Sequence, residues 1–193
     1  MDDLEALCGD YSDEIAAQIR DFPLRLKELA VNIPIRNHGP FPLFHPDYGY
    51  NNIIVDDDYK VLGVIDWENA STVPWEIVDF PLPLGITPVP IESPKFHDKY
   101  GVPKSQKTRH TLCDQKWYTE AVRQVERSKG MPPLLSAVLG DKAGQDLAAA
   151  MRIWANDGFP GWYCKVFEAH QERWGKTHDG KLGVLDADDS ITQ

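Results

Sequence analysis

The run His45-Pro46-Asp47-Tyr48-Gly49-Tyr50-Asn51-Asn52, followed by Val64-Ile65-Asp66-Trp67-Glu68, holds the side chains of this chain best suited to chemistry. Asp47 and Asn52 stand five residues apart, and Asp66 follows Asn52 by fourteen. An H-x-D-x-x-x-x-N pattern with a later aspartate at the end of an apolar strand is the spacing used in phosphoryl transfer from Mg-ATP. An alcohol that attacks a phosphoryl group needs a carboxylate to orient it and take its proton, and Asp47 suits that task. The triphosphate needs its charge screened by Mg²⁺, a hard ion that prefers oxygen ligands. The Asn52 amide and the Asp66 carboxylate are suitable donors.

The intervening sequence explains how two residues fourteen apart could meet. Asn52-Ile53-Ile54-Val55 and Val61-Leu62-Gly63-Val64-Ile65 are short apolar, β-branched runs, and Asp56-Asp57-Asp58-Tyr59-Lys60 between them is a polar turn. The pattern predicts a β-hairpin, with Asn52 at its entrance and Asp66 at its exit, side by side. The three aspartates invite a calcium reading, but no glycine and no glutamate follow at EF-hand spacing, so a solvated turn accounts for them better.

The stretch from about Gly39 to Phe80 resembles the catalytic region of the aminoglycoside phosphotransferase and choline kinase-like family, within the protein-kinase-like superfamily. Ile65-Asp66-Trp67-Glu68 is especially similar to that family's metal-binding segment, and the Trp-rich surroundings such as Thr72-Val73-Pro74-Trp75-Glu76 look like its fungal members. The resemblance implies that Asp47 is the catalytic base, that Asn52 and Asp66 bind magnesium with ATP, and that His45 supports the catalytic loop. It further implies that Asp79, thirteen residues after Asp66, is a structural aspartate bracing that loop. Pro46 departs from the family, which usually has glycine there, and proline removes one amide donor from the loop.

A kinase-like enzyme also needs a small β-rich lobe with a glycine-rich loop over the phosphates, a strand lysine and a helical glutamate. Only 38 residues precede Gly39, Gly9 is their one glycine, and Lys27 lies in the charged helical run Arg25-Leu26-Lys27-Glu28. The expected fold is therefore α+β, mainly α: a protein-kinase-like C-terminal lobe with a short β-hairpin at the active centre and no N-terminal β lobe. The corresponding organisation is residues 1–100 for the catalytic-loop part, 101–175 for a helical subdomain of the same lobe and 176–193 for a polar tail.

Composition narrows the partners. Hydrophobic residues make up 42% and charged residues 26%, ordinary for a globular chain of 193 residues. A formal net charge of −10 argues against a nucleic-acid partner, which calls for basic patches. Three widely spaced cysteines, Cys8, Cys113 and Cys164, suggest free thiols in a reducing compartment. With no apolar run of membrane-spanning length and an acidic N-terminus unlike a signal peptide, the expectation is a cytoplasmic protein without membrane contact.

Helical periodicity frames the catalytic stretch. Ile15, Ile19, Phe22, Leu26 and Leu29 form a stripe between Ser12 and Ala30, which Pro23 should split into two short helices or kink. Pro74, Pro81, Pro83, Pro88, Pro90 and Pro94 then predict an irregular stretch. Asp114–Ser128 places Trp117, Ala121 and Val125 on one face and ends at Gly130; Asp141–Asn156 places Leu147, Met151 and Trp154 together; Trp162, Val166 and His170 share another face. Trp117, Trp154, Trp162 and Trp174 are expected to be core or packing residues. Glu68 and Glu76 are read as structural rather than substrate-binding. His97, His110, His170 and His178 show no metal-ligand spacing, and His38, near the loop entrance, has no assigned role.

Three functions fit these residues. One is ATP- and Mg-dependent transfer of a phosphoryl group to an unidentified small-molecule hydroxyl, with a missing N-terminal lobe supplied elsewhere and little turnover from this chain alone. Another is a non-catalytic, pseudokinase-like remnant acting as a binding module. A paired-carboxylate hydrolase built on Asp47 and Asp66 is the third, and it explains neither Asn52 nor the hairpin.

Overall fold

The structure, a computed structural model, describes residues 12–29, 38–86, 94–157, 163 and 165–168. Helix α1 (Ser12–Leu29) opens with Asp13 and Glu14 and carries Lys27 in its last turn, charges that complement the helix dipole. Its apolar stripe buries Ile15 and Phe22 and half-buries Ile19 and Leu26. Pro23 does not split it. A helical proline deprives the carbonyl four residues earlier of its donor, here that of Ile19. The indole Nε1 of Trp154 donates to that oxygen at 2.9 Å, so the gap in the ladder is filled from another helix.

That other helix is the last of three that follow the catalytic stretch: α2 (Gln106–Ser128), α3 (Leu134–Gly140) and α4 (Lys142–Asp157). α4 buries Leu147, Ala150 and Ile153 against Phe22, and helical Tyr163, Val166 and Phe167 complete the cluster. The Phe22 ring centroid lies 4.7 Å from Tyr163, 5.4 Å from Phe167 and 6.0 Å from Trp154. The expected Leu147, Met151 and Trp154 face of α4 thus meets the core. Trp162, His170, His178 and Trp174 lie outside the described residues.

The strands are short. β1 (Leu43–Phe44) pairs antiparallel with β4 (Ser71–Thr72), and β2 (Ile53–Val55) with β3 (Val61–Val64). The second pair is the expected hairpin, in register Ile53 to Val64, with a bulge between Ile54 and Val55. At its turn Asp56 Oδ1 accepts from the amides of Asp58 and Lys60, at 3.1 and 2.8 Å, while Tyr59 takes a φ of 60°. The proline-rich stretch forms 3₁₀ turns at Trp75–Ile77, Leu82–Leu84 and Pro94–Phe96 rather than longer elements. Pro88 and Pro90 are outside the described residues.

Two expectations about the helices need correction, and one further helix appears. α2 begins at Gln106, eight residues before Asp114, because Ser105 caps it, its hydroxyl accepting from the Thr108 amide at 3.2 Å. The apolar run Leu134 to Leu139, too short to tell helix from strand by periodicity, is helix α3. The face with Trp117 is also not a core face. Trp117 is 74% exposed and Val125 51%, and the buried residues of α2 are Thr119 and Glu126. Polar groups decide the orientation: Glu126 Oε1 accepts from the Leu135 amide at 2.9 Å and the Ser136 amide at 3.3 Å, capping α3, and Gln115 Nε2 donates to Leu84 O at 2.8 Å. Unmade, these bonds would leave buried polar atoms stranded, so they outweigh the apolar stripe. Gly130, at φ 63°, ends α2 as its position after the periodic run suggests.

Among the described residues the architecture is mostly helical with two small antiparallel strand pairs, compatible with an α+β class. No helix of the described residues is long and apolar enough to cross a membrane.

Candidate functional site

The loop between β1 and β2 is held by its own side chains. His45, buried, accepts the Asp47 amide at Nδ1 at 3.2 Å and donates from Nε2 to the Ile65 carbonyl at 2.9 Å. Because Nδ1 accepts, the ring proton sits on Nε2. One imidazole therefore ties the loop to the strand exit twenty residues later. Trp67 packs its ring edge on His45, centroids 5.0 Å apart, and donates from Nε1 to Val64 O at 2.8 Å.

Asn52, also buried, ends the 3₁₀ turn Tyr50–Asn52. Its Nδ2 donates to both the Asp47 carbonyl and Asp47 Oδ2, each at 2.8 Å. Both partners are acceptors, so the amide orientation follows: NH₂ toward Asp47, with Oδ1 turned the other way, where it accepts from Asn51 Nδ2 at 3.2 Å. The Asn52 carbonyl accepts from the Ile65 amide at 3.0 Å, continuing the hairpin ladder one step beyond Ile53 and Val64. Asn52 and Asp66 are thereby neighbours across the hairpin mouth. The Asp66 backbone has φ 62°, a left-handed conformation that Asp tolerates better than most residues. Asp47 and Asp66 are both exposed. A Cβ at Gly49 would come 2.7 Å from Asn51 Oδ1, so a larger residue there would displace the exposed Asn51 side chain.

Asp79 differs from the bracing residue expected. Its Oδ1 accepts the Phe80 amide at 2.7 Å and its Oδ2 pairs with Arg152 Nε on α4 at 3.0 Å. The loop is instead anchored on this side by the Leu82 amide, which donates to Tyr48 O at 3.0 Å. Asp79 ties the start of the segment that carries Leu82 to α4. Glu68 is exposed, and Glu76 belongs to the Trp75–Ile77 turn. Of the histidines set aside in the sequence, His97 is buried and His38 and His110 are exposed. Among the described residues no three His, Cys, Asp or Glu side chains gather as a metal cluster.

Beside the loop lies a cavity of about 930 Å³. Its lining joins His45, Pro46 and Tyr48 to Asp79, Tyr118 and Arg152, with apolar side chains between them. Sequence reading missed Tyr118 and Arg152. Arg152 stands 73 residues from Asp79 and occurs in no local motif, so only the packing of α4 could reveal it. Tyr118 immediately follows the exposed Trp117, on the other side of α2, and its ring meets Phe80 at 6.2 Å. Burial, and secondarily the nearby Tyr48, push the Tyr118 phenol above its ordinary pKa, so it remains an O–H donor at neutral pH.

Residues 2–76 match the profile of APH, the phosphotransferase enzyme family. The match takes in α1, the His45–Asn52 loop, the hairpin and Asp66, and it ends before Asp79. It covers fewer than half of the 193 residues. No curated protein and no solved structure matches the chain. The family resemblance read from the sequence thus holds for the N-terminal part, and phosphotransferase-like function is its general implication.

Proposed function

We propose that the described residues form the large lobe of a kinase-like phosphotransferase that moves a phosphoryl group from Mg-ATP to a small-molecule hydroxyl. The observation that carries this reading is the double role of Asn52: its side chain holds Asp47 and its backbone holds the residue before Asp66. One buried amide thus sets a base candidate and a metal-ligand candidate in one frame. The donor set suits a hard cation, since one carboxylate and one amide oxygen leave room for phosphate oxygens and water.

Mg-ATP would supply the phosphoryl group and the screening of its charge. Asp47 would orient the acceptor hydroxyl and take its proton as the acceptor oxygen bonds to the γ-phosphorus and the bridging oxygen leaves with ADP. Asn52, by donating to Asp47 Oδ2, keeps that carboxylate in one rotamer with its other oxygen available. Asn52 Oδ1, on giving up its hydrogen bond from Asn51 Nδ2, and the Asp66 carboxylate would hold the ion. His45, whose two nitrogens are both engaged, would serve as a positioning residue rather than in proton transfer.

The 193 residues contain no G-x-G-x-x-G run to clamp the phosphates, and such a clamp supplies orders of magnitude in rate. Little turnover is therefore expected from these residues alone, with the phosphate-gripping lobe supplied from elsewhere. The same feature favours a second reading, a non-catalytic binding module that keeps the scaffold. A thermal-shift titration with ATP and Mg²⁺ beside Asp66→Ala tests the first. A Mg-dependent rise in Tm that disappears in the variant is the expected result. No shift in a folded sample favours either a lobe that needs the phosphate-gripping part to hold nucleotide or the binding module.

A further inference from the structure

The cavity beside the loop deepens that reading by indicating what kind of molecule is phosphorylated. Pro46 and Tyr48, the neighbours of Asp47 on either side, both line it, so a ligand filling it would lie against the loop that carries the candidate base. At about 930 Å³ it lies in the range of small-molecule sites. Its walls are mainly apolar, with Phe80, Leu139, Ala148 and Met151 among them.

The charges in it are already matched. Asp79 is the one carboxylate of the described lining, and Arg152 neutralises it at 3.0 Å. His45 has both ring nitrogens in hydrogen bonds. What remains is the pair of phenols, Tyr48 and Tyr118, both in the lining and with no hydrogen-bond partner for either hydroxyl among the described residues. A polycation entering this space would lose its hydration and find no unpaired carboxylate among the described lining residues, and Asp47 beside them could match only one of its charges. An uncharged molecule with an apolar body and one hydroxyl would bury that body and find a donor or acceptor in the phenols.

We infer that the acceptor is an uncharged, largely apolar alcohol or phenol, held in the cavity walled by Tyr48, Tyr118 and Phe80, and not a polycationic sugar or amine. This rests on the phosphotransferase reading for the word acceptor, but the binding site can be tested separately.

The test uses the full 193-residue chain, with 2-naphthalenemethanol as the neutral probe, spermine as the polycation, and Mg-ATP as an independent arm. Binding is read by calorimetry and by thermal shift. Expected is saturable binding of the alcohol and none of spermine, about fivefold weaker for Tyr118→Phe, which loses one hydrogen bond. Binding should vanish in Ala148→Phe, which fills the cavity. If that variant does not fold, Ile86→Trp at the half-buried rim replaces it and is expected to weaken binding. Spermine binding with a silent alcohol overturns the inference. So does alcohol binding that is indifferent to all three substitutions, or no binding by either probe. Should Mg-ATP shift the Tm while the alcohol stays silent, the substrate class falls and the nucleotide reading stands. In the reverse case the cavity stands as a site for a neutral apolar ligand that these residues bind without holding nucleotide.

Discussion

Around Phe22, apolar rings from α1, α4, Tyr163 and Phe167 close on one another, and the notable polar contact is the Trp154 indole on the carbonyl that Pro23 leaves open. Around His45 the balance is reversed. There the chain runs in strands of two to four residues and 3₁₀ turns, and its shape comes from side-chain hydrogen bonds to backbone at His45, Asn52, Trp67 and Asp79. The hairpin keeps Ile54, Val55, Val61 and Leu62 exposed, whereas Phe22, Val166 and Phe167 are almost wholly buried. Apolar burial is non-directional and can supply stability without defining a geometry to fractions of an ångström. Hydrogen bonds are directional, contribute modestly each, and are costly to break when buried. The molecule uses the first to hold its body together and the second to shape its candidate site.

Four substitutions or conditions would break or sharpen that contrast. Phe22→Ala should have the largest effect, a loss of about 3–5 kcal/mol in urea unfolding and a fall in Tm of about 10 °C. A loss below about 1 kcal/mol would mean that the aromatic cluster does not hold the body. His45→Ala should cost about 2–3 kcal/mol, since it strands the Asp47 amide and the Ile65 carbonyl. Its signature is a weakening of any Mg-ATP thermal shift beyond what the lower stability explains; an unchanged shift would deny His45 its positioning role.

A smaller effect isolates the join between α1 and α4. Trp154→Phe should cost about 1 kcal/mol through the lost bond to Ile19. In a Pro23→Ala background, where residue 23 regains its amide, the same change should cost less, and the difference is read from a double-mutant cycle. Strict additivity would show that the indole does not compensate for the proline.

The smallest effect is local and pH-dependent. Asp98 Oδ1 accepts the amides of Tyr100 and Val102, at 2.8 and 2.9 Å, and these bonds, Val102 first, hold its carboxyl below the ordinary aspartate value. A depressed folded-state pKa means that this stabilisation is present above the unfolded-state pKa and is lost as pH falls through the folded one. Amide exchange at Tyr100 and Val102, corrected for its intrinsic pH dependence, should therefore rise as the solution is acidified below about pH 4, and Asp98→Asn should flatten that response. A flat profile in the unsubstituted protein would remove the carboxylate from the account of this loop.

Much of the site region was legible because its signals are local. The two β-branched runs around Asp56–Lys60 specify a hairpin, and a hairpin brings its two ends together whatever surrounds it. The stripe of α1 and the inward face of α4 were legible for a similar reason, since helical period and burial coincide there. α2 was not. Its apolar residues Trp117 and Val125 point to solvent because Glu126 and Gln115 have backbone partners on α3 and at Leu84 that no periodicity records. Nor did any local feature show that Pro23 would be accommodated, because the donor that rescues Ile19 lies 135 residues away.

By itself, the sequence determined which residues are candidates for chemistry, the hairpin that juxtaposes Asn52 with Asp66, the positions of α1 and α4, and the family its N-terminal part resembles. These follow from spacing and period, which are properties of neighbours along the chain. Only the tertiary structure decided that Asn52 grips Asp47, that Asp79 answers to Arg152 rather than to the loop, which face of α2 is wet, and that a charge-matched, mostly apolar cavity opens beside the loop. Each of these depends on which polar groups meet across long separations, and a folded chain settles that by satisfying buried donors and acceptors together rather than one segment at a time.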